Sequence, residues 1–420
     1  MASKNLLKKE IIAGITAFFA ISYIIIVNPL ILADSGIPMQ LSIFATIFIS
    51  IIGCLAVGCW ADAPIVLAPG MGVNAFFTYT IVKNMGFSWQ QGLTVSLFAG
   101  IVFALIACTH LSDRLLQVIP ASLKYGITAG IGLFLVEIGL EKGSLIETGH
   151  NTIIELASLQ NPAALLTILG LILSLVLYLR KIDGGFFIAI VAISFIGYYW
   201  NITDKTVLNI SIANISDYRQ LLFQPDFTVM GEAKFWLAVF SMSMILIFDT
   251  IGILEGILPN KDRLKKAFAV LSLVTIISSL LGTCPTVAAA ESAAGIAAGA
   301  RRGIMAITAG CLFAIALFFI PLLSYVSASA IAPVIIITGA MMMQQLQYVE
   351  FNDFTEWFPV FLLVVMIPLS GSISTGLAFG FIVYPFMKIC IGKAKTINPI
   401  VYGLGILFFI DLFFSAYKIF

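Results

Sequence analysis

Apolar runs of about 20 residues, almost free of charge, follow one another from Ile11 nearly to the end of the chain. A bilayer hydrocarbon core about 30 Å thick takes about 20 apolar residues per helix. Inside it every backbone amide and carbonyl must be satisfied within the protein. Such a chain can fold only as a bundle of membrane-spanning helices. Hydrophobic residues make up 60% of it and charged ones 10%, against about 25% charged in an average soluble domain. These proportions exclude a water-soluble fold and a disordered one, and glycine without a fixed period excludes a collagen-like chain.

At roughly 30 residues per span and loop, 420 residues hold about fourteen spans. The apolar segments run at about 11–28, 41–60, 64–82, 91–110, 119–140, 162–180 and 184–200. After a polar stretch at 201–232 come 233–256, 264–282, 284–299, 302–322, 331–345, 354–370 and 373–390. A further stretch at 398–416 contains Asp411 and reads as an extra span or an interfacial helix. Lys4, Lys8 and Lys9 precede a first run that continues into Asn28-Pro29, which fits an uncleaved first span better than a signal peptide. With the N-terminus in the cytoplasm, sixteen Lys and Arg fall on the inside and five on the outside, a positive-inside bias that supports the segmentation.

The net charge of +1 offers no basic stripe for nucleic acid. Six cysteines, without CxxC or Cys/His spacing, read as packing residues, so no disulfide, metal or cofactor is expected. His110 and His150 are the only histidines and sit at span ends or in loops, which disfavours a metal site or a catalytic triad. The chain is therefore not expected to be an enzyme.

Ser96–Ile106 lines up with Ala306–Ala316, and Ile127-Thr128 with Ile337-Thr338, both offset by 210 residues. Two repeats of seven spans each, an odd number, lie inverted to one another, as in many secondary transporters. The expected division is a first repeat at 1–200, an external loop at 201–232, a second repeat at 233–395 and a C-terminal apolar segment at 396–420.

In such architectures a pair of Gly/Pro-interrupted segments marks the binding site. The third segment contains Ala63-Pro64, Pro69-Gly70, Gly72 and Asn74; the tenth contains Gly282-Thr283-Cys284-Pro285-Thr286 and Glu291-Ser292. Each should be extended first and helical afterwards, with the helix starting near mid-membrane. Ionisable residues inside spans cost about 2.5 to 3.5 kcal/mol on insertion scales and are usually functional. Asp249 and Glu291 are the strongest candidates; Glu137 and Glu255 lie near helix ends, and Asp411 in the doubtful last segment.

These segments resemble the AzgA-like purine permeases of the nucleobase transporter superfamily. The motifs that carry the resemblance are Ile21–Pro29, Ala68–Phe76, Gly126–Phe134, Phe248–Gly252 and Glu291–Gly295. The resemblance implies a core (spans 1 to 4 and 8 to 11, residues 1–115 and 233–325) and a gate (spans 5 to 7 and 12 to 14, residues 116–200 and 326–395). It implies proton-coupled import of purine bases across the inner membrane, with a homodimer left open as the assembly. Position by position, Asp249 matches an acidic residue that faces the base, Glu291 the base-binding carboxylate, and Asn74 the polar residue of the broken third span. Ile253 stands where members carry a polar residue, and Cys284-Pro285 and Ala288–Ala290 replace a more hydroxyl-rich run.

The expected pocket therefore has Glu291 on the N–H edge of the base and Phe76 or Phe77 against its ring. Asp249 contacts the base or holds the proton, and Asn74, Thr283, Thr286 and Ser292 complete the polar shell. A sulfate- or bicarbonate-type anion carrier of the same architecture is the competing class, but two carboxylates at the site would repel an anion. The choice among adenine, guanine, hypoxanthine and xanthine stays open.

Overall fold

The computed structural model describes residues 2–109, 120–149, 154–182, 184–200, 202 and 215–416. His110 and His150, as well as Arg114 and Lys205, lie outside the described residues, as do the side chains of Glu255 and Asp411.

Helices α1 (Ala2–Ile21) and α2 (Ile24–Ala33) are separated by a break at Ser22 and Tyr23, and α3 (Met39–Ala56) runs on into a π-helical turn, Val57–Ala61. After strand β1 (Leu67–Pro69) comes α4 (Met71–Ala75), which widens into π-helical turns through Asn84. Next are α5 (Trp89–Ala107), α6 (Ala121–Lys142), a hairpin of β2 (Ile146–Thr148) and β3 (Ile154–Leu156), α7 (Pro162–Leu179) and α8 (Gly185–Tyr199). The second half holds α9 (Ala233–Ile257), α10 (Leu264–Leu280), β4 (Thr286–Ala288), α11 (Ser292–Ala297), α12 (Ile304–Ala316), α13 (Ala328–Met343), α14 (Phe354–Ser370), α15 (Ile373–Cys390) and α16 (Pro399–Ala416).

Among the described residues, nine helices are long and apolar enough to cross a membrane. The expected segments outside that set are instructive. Those at 64–82 and 284–299 are broken into strand and short helix. The helices at α8, α10 and α14 have 15, 17 and 17 residues, just under the length of a full span.

Two groups of helices are recognisable by their packing. In one, α1 lies against α12, α12 against α3, α3 against α2 and α10, and α5 against α9 and α10. In the other, α6 lies against α13 and α14, α13 against α7 and α8, and α14 against α15. Gly132 of α6 and Gly339 of α13 face one another so closely that a Cβ on either would strike the other's carbonyl oxygen. That crossing joins helices offset by about half the chain.

One buried charge of the second group is closely paired. Lys388 of α15 meets Glu356 at 2.7 Å and Asp353 at 3.4 Å, both on the adjacent end of α14, and Ser122 of α6 and Tyr384 also donate to Glu356. Asp353 caps α14 by accepting from the amide and hydroxyl of Thr355, bonds that hold its carboxyl below the usual carboxylate range. In the first group, Asp62 receives the amide of Gly303 at 2.8 Å and pairs with Arg263 and Arg302, tying three loops at one end of the bundle.

Candidate functional site

The two broken segments meet at the centre of the first helix group. β1 and β4 pair antiparallel in the register Leu67↔Ala288, Ala68↔Val287, Pro69↔Thr286. The pairing answers the membrane's demand that no peptide group go unbonded: each extended stretch supplies the partners the other lacks. Ala289 donates its amide to Val66 at 2.9 Å and Gly70 donates to Pro285 at 3.3 Å, extending the ladder by one bond at either end. Side chains fasten it further: Cys54 of α3 bonds Leu67, Thr275 of α10 donates to the carbonyl of Thr286 at 2.9 Å, and Ser292 accepts the amide of Val66 at 2.9 Å. Gly70 is required at the crossing, because a Cβ there would lie 2.6 Å from Cγ2 of Val287.

Both strands lead into short helices, the extended-then-helical course expected from their sequences. Glu291 stands at the start of α11, half-buried, and accepts a hydrogen bond from the hydroxyl of Tyr23 at the break between α1 and α2. Asp249 projects from α9, also half-buried, within electrostatic reach of Glu291. Among the described residues, the space beside the two acids is open. Gly252 and Gly256 on α9 are exposed with no described neighbour within 4 Å of where a Cβ would stand, and Ala290, Ala293 and Ala297 flanking Glu291 are exposed too. Ile253, on the same side of α9 as Asp249, contributes a half-buried apolar side chain.

The remaining expected ligands face elsewhere. Asn74 is fully buried and donates to the side chain of Asn28 at 2.7 Å, and Thr283 is fully buried and receives a bond from Asn28 at 3.2 Å. Phe76 and Phe77 are fully buried, Phe77 with its ring against Gly92 of α5. Thr286 is buried with its hydroxyl unpartnered among the described residues, and Ser292 is engaged with Val66. In this arrangement only Asp249 and Glu291 of the expected set border the open space. The other six form the scaffold beneath it.

Residue-by-residue reasoning missed Tyr23 and Asn28. Both lie in the Ile21–Pro29 motif, where a phenol and an amide inside an apolar run were the available signal. No group of three or more His, Cys, Asp or Glu that could hold a metal occurs among the described residues.

This geometry can be set beside known proteins. The model of the Permease family matches residues 8–379. The chain belongs to the Permease family. The permease is 37% identical over 422 residues to the guanine/hypoxanthine permease PbuO of Bacillus subtilis (strain 168), covering 97% of each chain. It is 39% identical to the nucleobase transporter PlAzg2 of Paenibacillus larvae, over 90% of this chain and 76% of that one. It is 32% identical to the adenine permease AdeP of Escherichia coli (strain K12), covering 97% and 96%. The resemblance read from its motifs is met by these relatives, and the permease is a transporter family member, not an enzyme. Among solved structures, the transmembrane domain of the cyanobacterial bicarbonate transporter BicA superposes with a TM-score of 0.66 at 14% identity, covering 89% of this chain and 97% of that one. Murine Slc26a9 in its inward-facing state gives 0.58 at 11% identity, covering 90% of this chain and 68% of that one. At such identities the likeness is one of fold.

Proposed function

We propose that this permease is a secondary transporter that imports purine nucleobases together with protons across the cell's inner membrane. The observation that carries the reading is the pair Asp249 and Glu291, two carboxylates close enough to feel each other's charge beside a space open among the described residues, next to the junction of two broken spans. A carboxylate accepts N–H donors strongly, and a purine base presents them along one edge. Relatives named as guanine/hypoxanthine and adenine permeases support that substrate class. Glu291 receives the N–H edge of the base, while Asp249 contacts the base or carries the proton.

The first helix group then acts as the core and the second as the gate, and the core moves against the gate around the site. With the N-terminus in the cytoplasm, the open strip past Gly256 and Ala297 leads to the cytoplasmic side, an inward-facing arrangement. The anion-carrier alternative shares the fold, but two carboxylates at the site oppose an anionic substrate.

Glu291→Gln keeps shape and removes the charge. Losing a hydrogen bond to a charged group costs about 1.5–3 kcal/mol, or roughly 10- to 150-fold in affinity. Uptake of labelled guanine, hypoxanthine and adenine into proteoliposomes should fall by that order in Glu291→Gln and also in Asp249→Asn. Addition of purine to energised vesicles should alkalinise the medium. Parental accumulation by Glu291→Gln would overturn the site, and transport without proton movement would overturn the coupling.

A further inference from the structure

We infer that Tyr23 is a positioning residue for the substrate carboxylate: its hydroxyl fixes Oε1 of Glu291 and so decides how the second oxygen is presented to the base. The inference rests on the purine-transport reading given above.

The geometry assigns this role in three steps. Tyr23 stands where the helix is interrupted, between Ile21 at the end of α1 and Ile24 at the start of α2, so its side chain leaves the helix at the depth of the site. Its hydroxyl donates to Glu291 Oε1 across 268 residues of sequence, and the other neighbour of that hydroxyl is the weakly accepting sulfur of Met71 at 3.7 Å. The hydroxyl therefore has one strong partner.

The ring is held as firmly as the hydroxyl. Tyr23 is 1% exposed, too deeply buried to touch a ligand in the open space itself. Its ring packs edge-to-face on Phe186 of α8, with centroids 6.0 Å apart, and Phe186 stacks on Tyr178 of α7. A side chain locked on both ends holds a carboxylate in one rotamer, and supporting contacts of this kind set how well a binding group is aimed. Glu291 is only half-buried, so without the phenol its longer, freely rotating side chain would sample the open space.

The test uses the full-length chain in proteoliposomes and tritiated guanine, hypoxanthine and adenine as probes. Five proteins are compared: the parent, Tyr23→Phe, Tyr23→His, Glu291→Gln and the Tyr23→Phe/Glu291→Gln double variant. Tyr23→Phe keeps the ring against Phe186 and removes only the hydroxyl, so the inserted amount should match the parent. Its KM should rise about tenfold or more, the scale of one lost hydrogen bond to a charged group, with little change in the maximal rate per inserted molecule. Tyr23→His, which restores an N–H donor, should recover part of the loss. The double variant should transport no worse than Glu291→Gln alone, because the phenol acts only through the carboxylate.

If Tyr23→Phe leaves KM within twofold of the parent while Glu291→Gln lowers transport by the order expected above, the positioning role is wrong and the purine reading stands. If the two substitutions add in full, the phenol acts independently of Glu291 and the role is equally wrong. If the parent accumulates none of the three bases, the purine reading falls and the assignment of Tyr23 falls with it.

Discussion

Asn28 uses all the bonding capacity of its side-chain amide on other elements. The nitrogen donates to Thr46 at 2.8 Å and Thr283 at 3.2 Å, while the oxygen accepts from Asn74 at 2.7 Å and from the thiol of Cys284 at 3.2 Å. A saturated polar network in a fully buried place fixes one arrangement of the chain around it. This explains why Asn74 and Thr283, which look like ligands by residue type, serve instead to brace the broken segments. Asn28→Ala would leave several buried polar groups unpartnered, each at a cost of about 1–3 kcal/mol. The thermal midpoint of the purified variant in detergent should drop by several degrees, and an unchanged midpoint would show that water replaces the amide. By residue type alone, Asp249 and Glu291 were recognisable because charge inside hydrocarbon has few innocent explanations. A tyrosine or asparagine in an apolar run costs less than a charge once it is hydrogen-bonded, and nothing local in the sequence says whom it bonds.

At the scale of elements, the broken spans were the most legible feature. Pro64, Pro69 and Gly70 in one and Pro285 in the other break the helical ladder where a span should continue. What proline and glycine cannot specify is where the freed peptide groups find partners. The two three-residue strands satisfy each other, and neither would be stable alone. Their crossing depends on the absence of a side chain at Gly70, so Gly70→Val should prevent the strands from pairing. We expect most of that variant to fail to appear in the membrane as monodisperse protein on size exclusion, whereas Gly231→Ala, at an exposed position with ordinary backbone angles and room for a methyl group, should be inserted normally. Normal insertion and transport by Gly70→Val would show that the strands can slide apart. The short helices α8, α10 and α14 illustrate the opposite limit, since apolar content counted their segments correctly as hydrophobic but not how much of each is wound.

Across the whole molecule, several polar contacts join the two helix groups at one end. Asp34 after α2 pairs with Lys142 at the end of α6 at 2.7 Å and accepts from Tyr79 at 2.6 Å. Thr80 accepts the amide of Ile373 at 3.1 Å, and Ser241 and Ser374 lie 3.4 Å apart. At the other end, the strip beside Asp249 and Glu291 is open. If this seam holds the outer face shut, weakening it shifts the population toward the outward-facing state. Part-exposed ion pairs are worth about 0.2–1 kcal/mol, so Lys142→Ala should lower the external KM for purine in whole cells by roughly 1.4- to fivefold. An unchanged KM would mean the pair is a surface ornament of the bundle.

The sequence by itself determined that this chain lives in a membrane, where its helices run, which two spans are interrupted and which carboxylates lie inside apolar segments, because hydropathy, helix breaking and the cost of buried charge are all local properties. Only the tertiary structure decided that Tyr23 meets Glu291, that Asn28 ties both breaks together, and that Leu67 faces Ala288. Those contacts join residues 46 to 268 positions apart, and their strength depends on the simultaneous fit of several helices, which no local periodicity encodes.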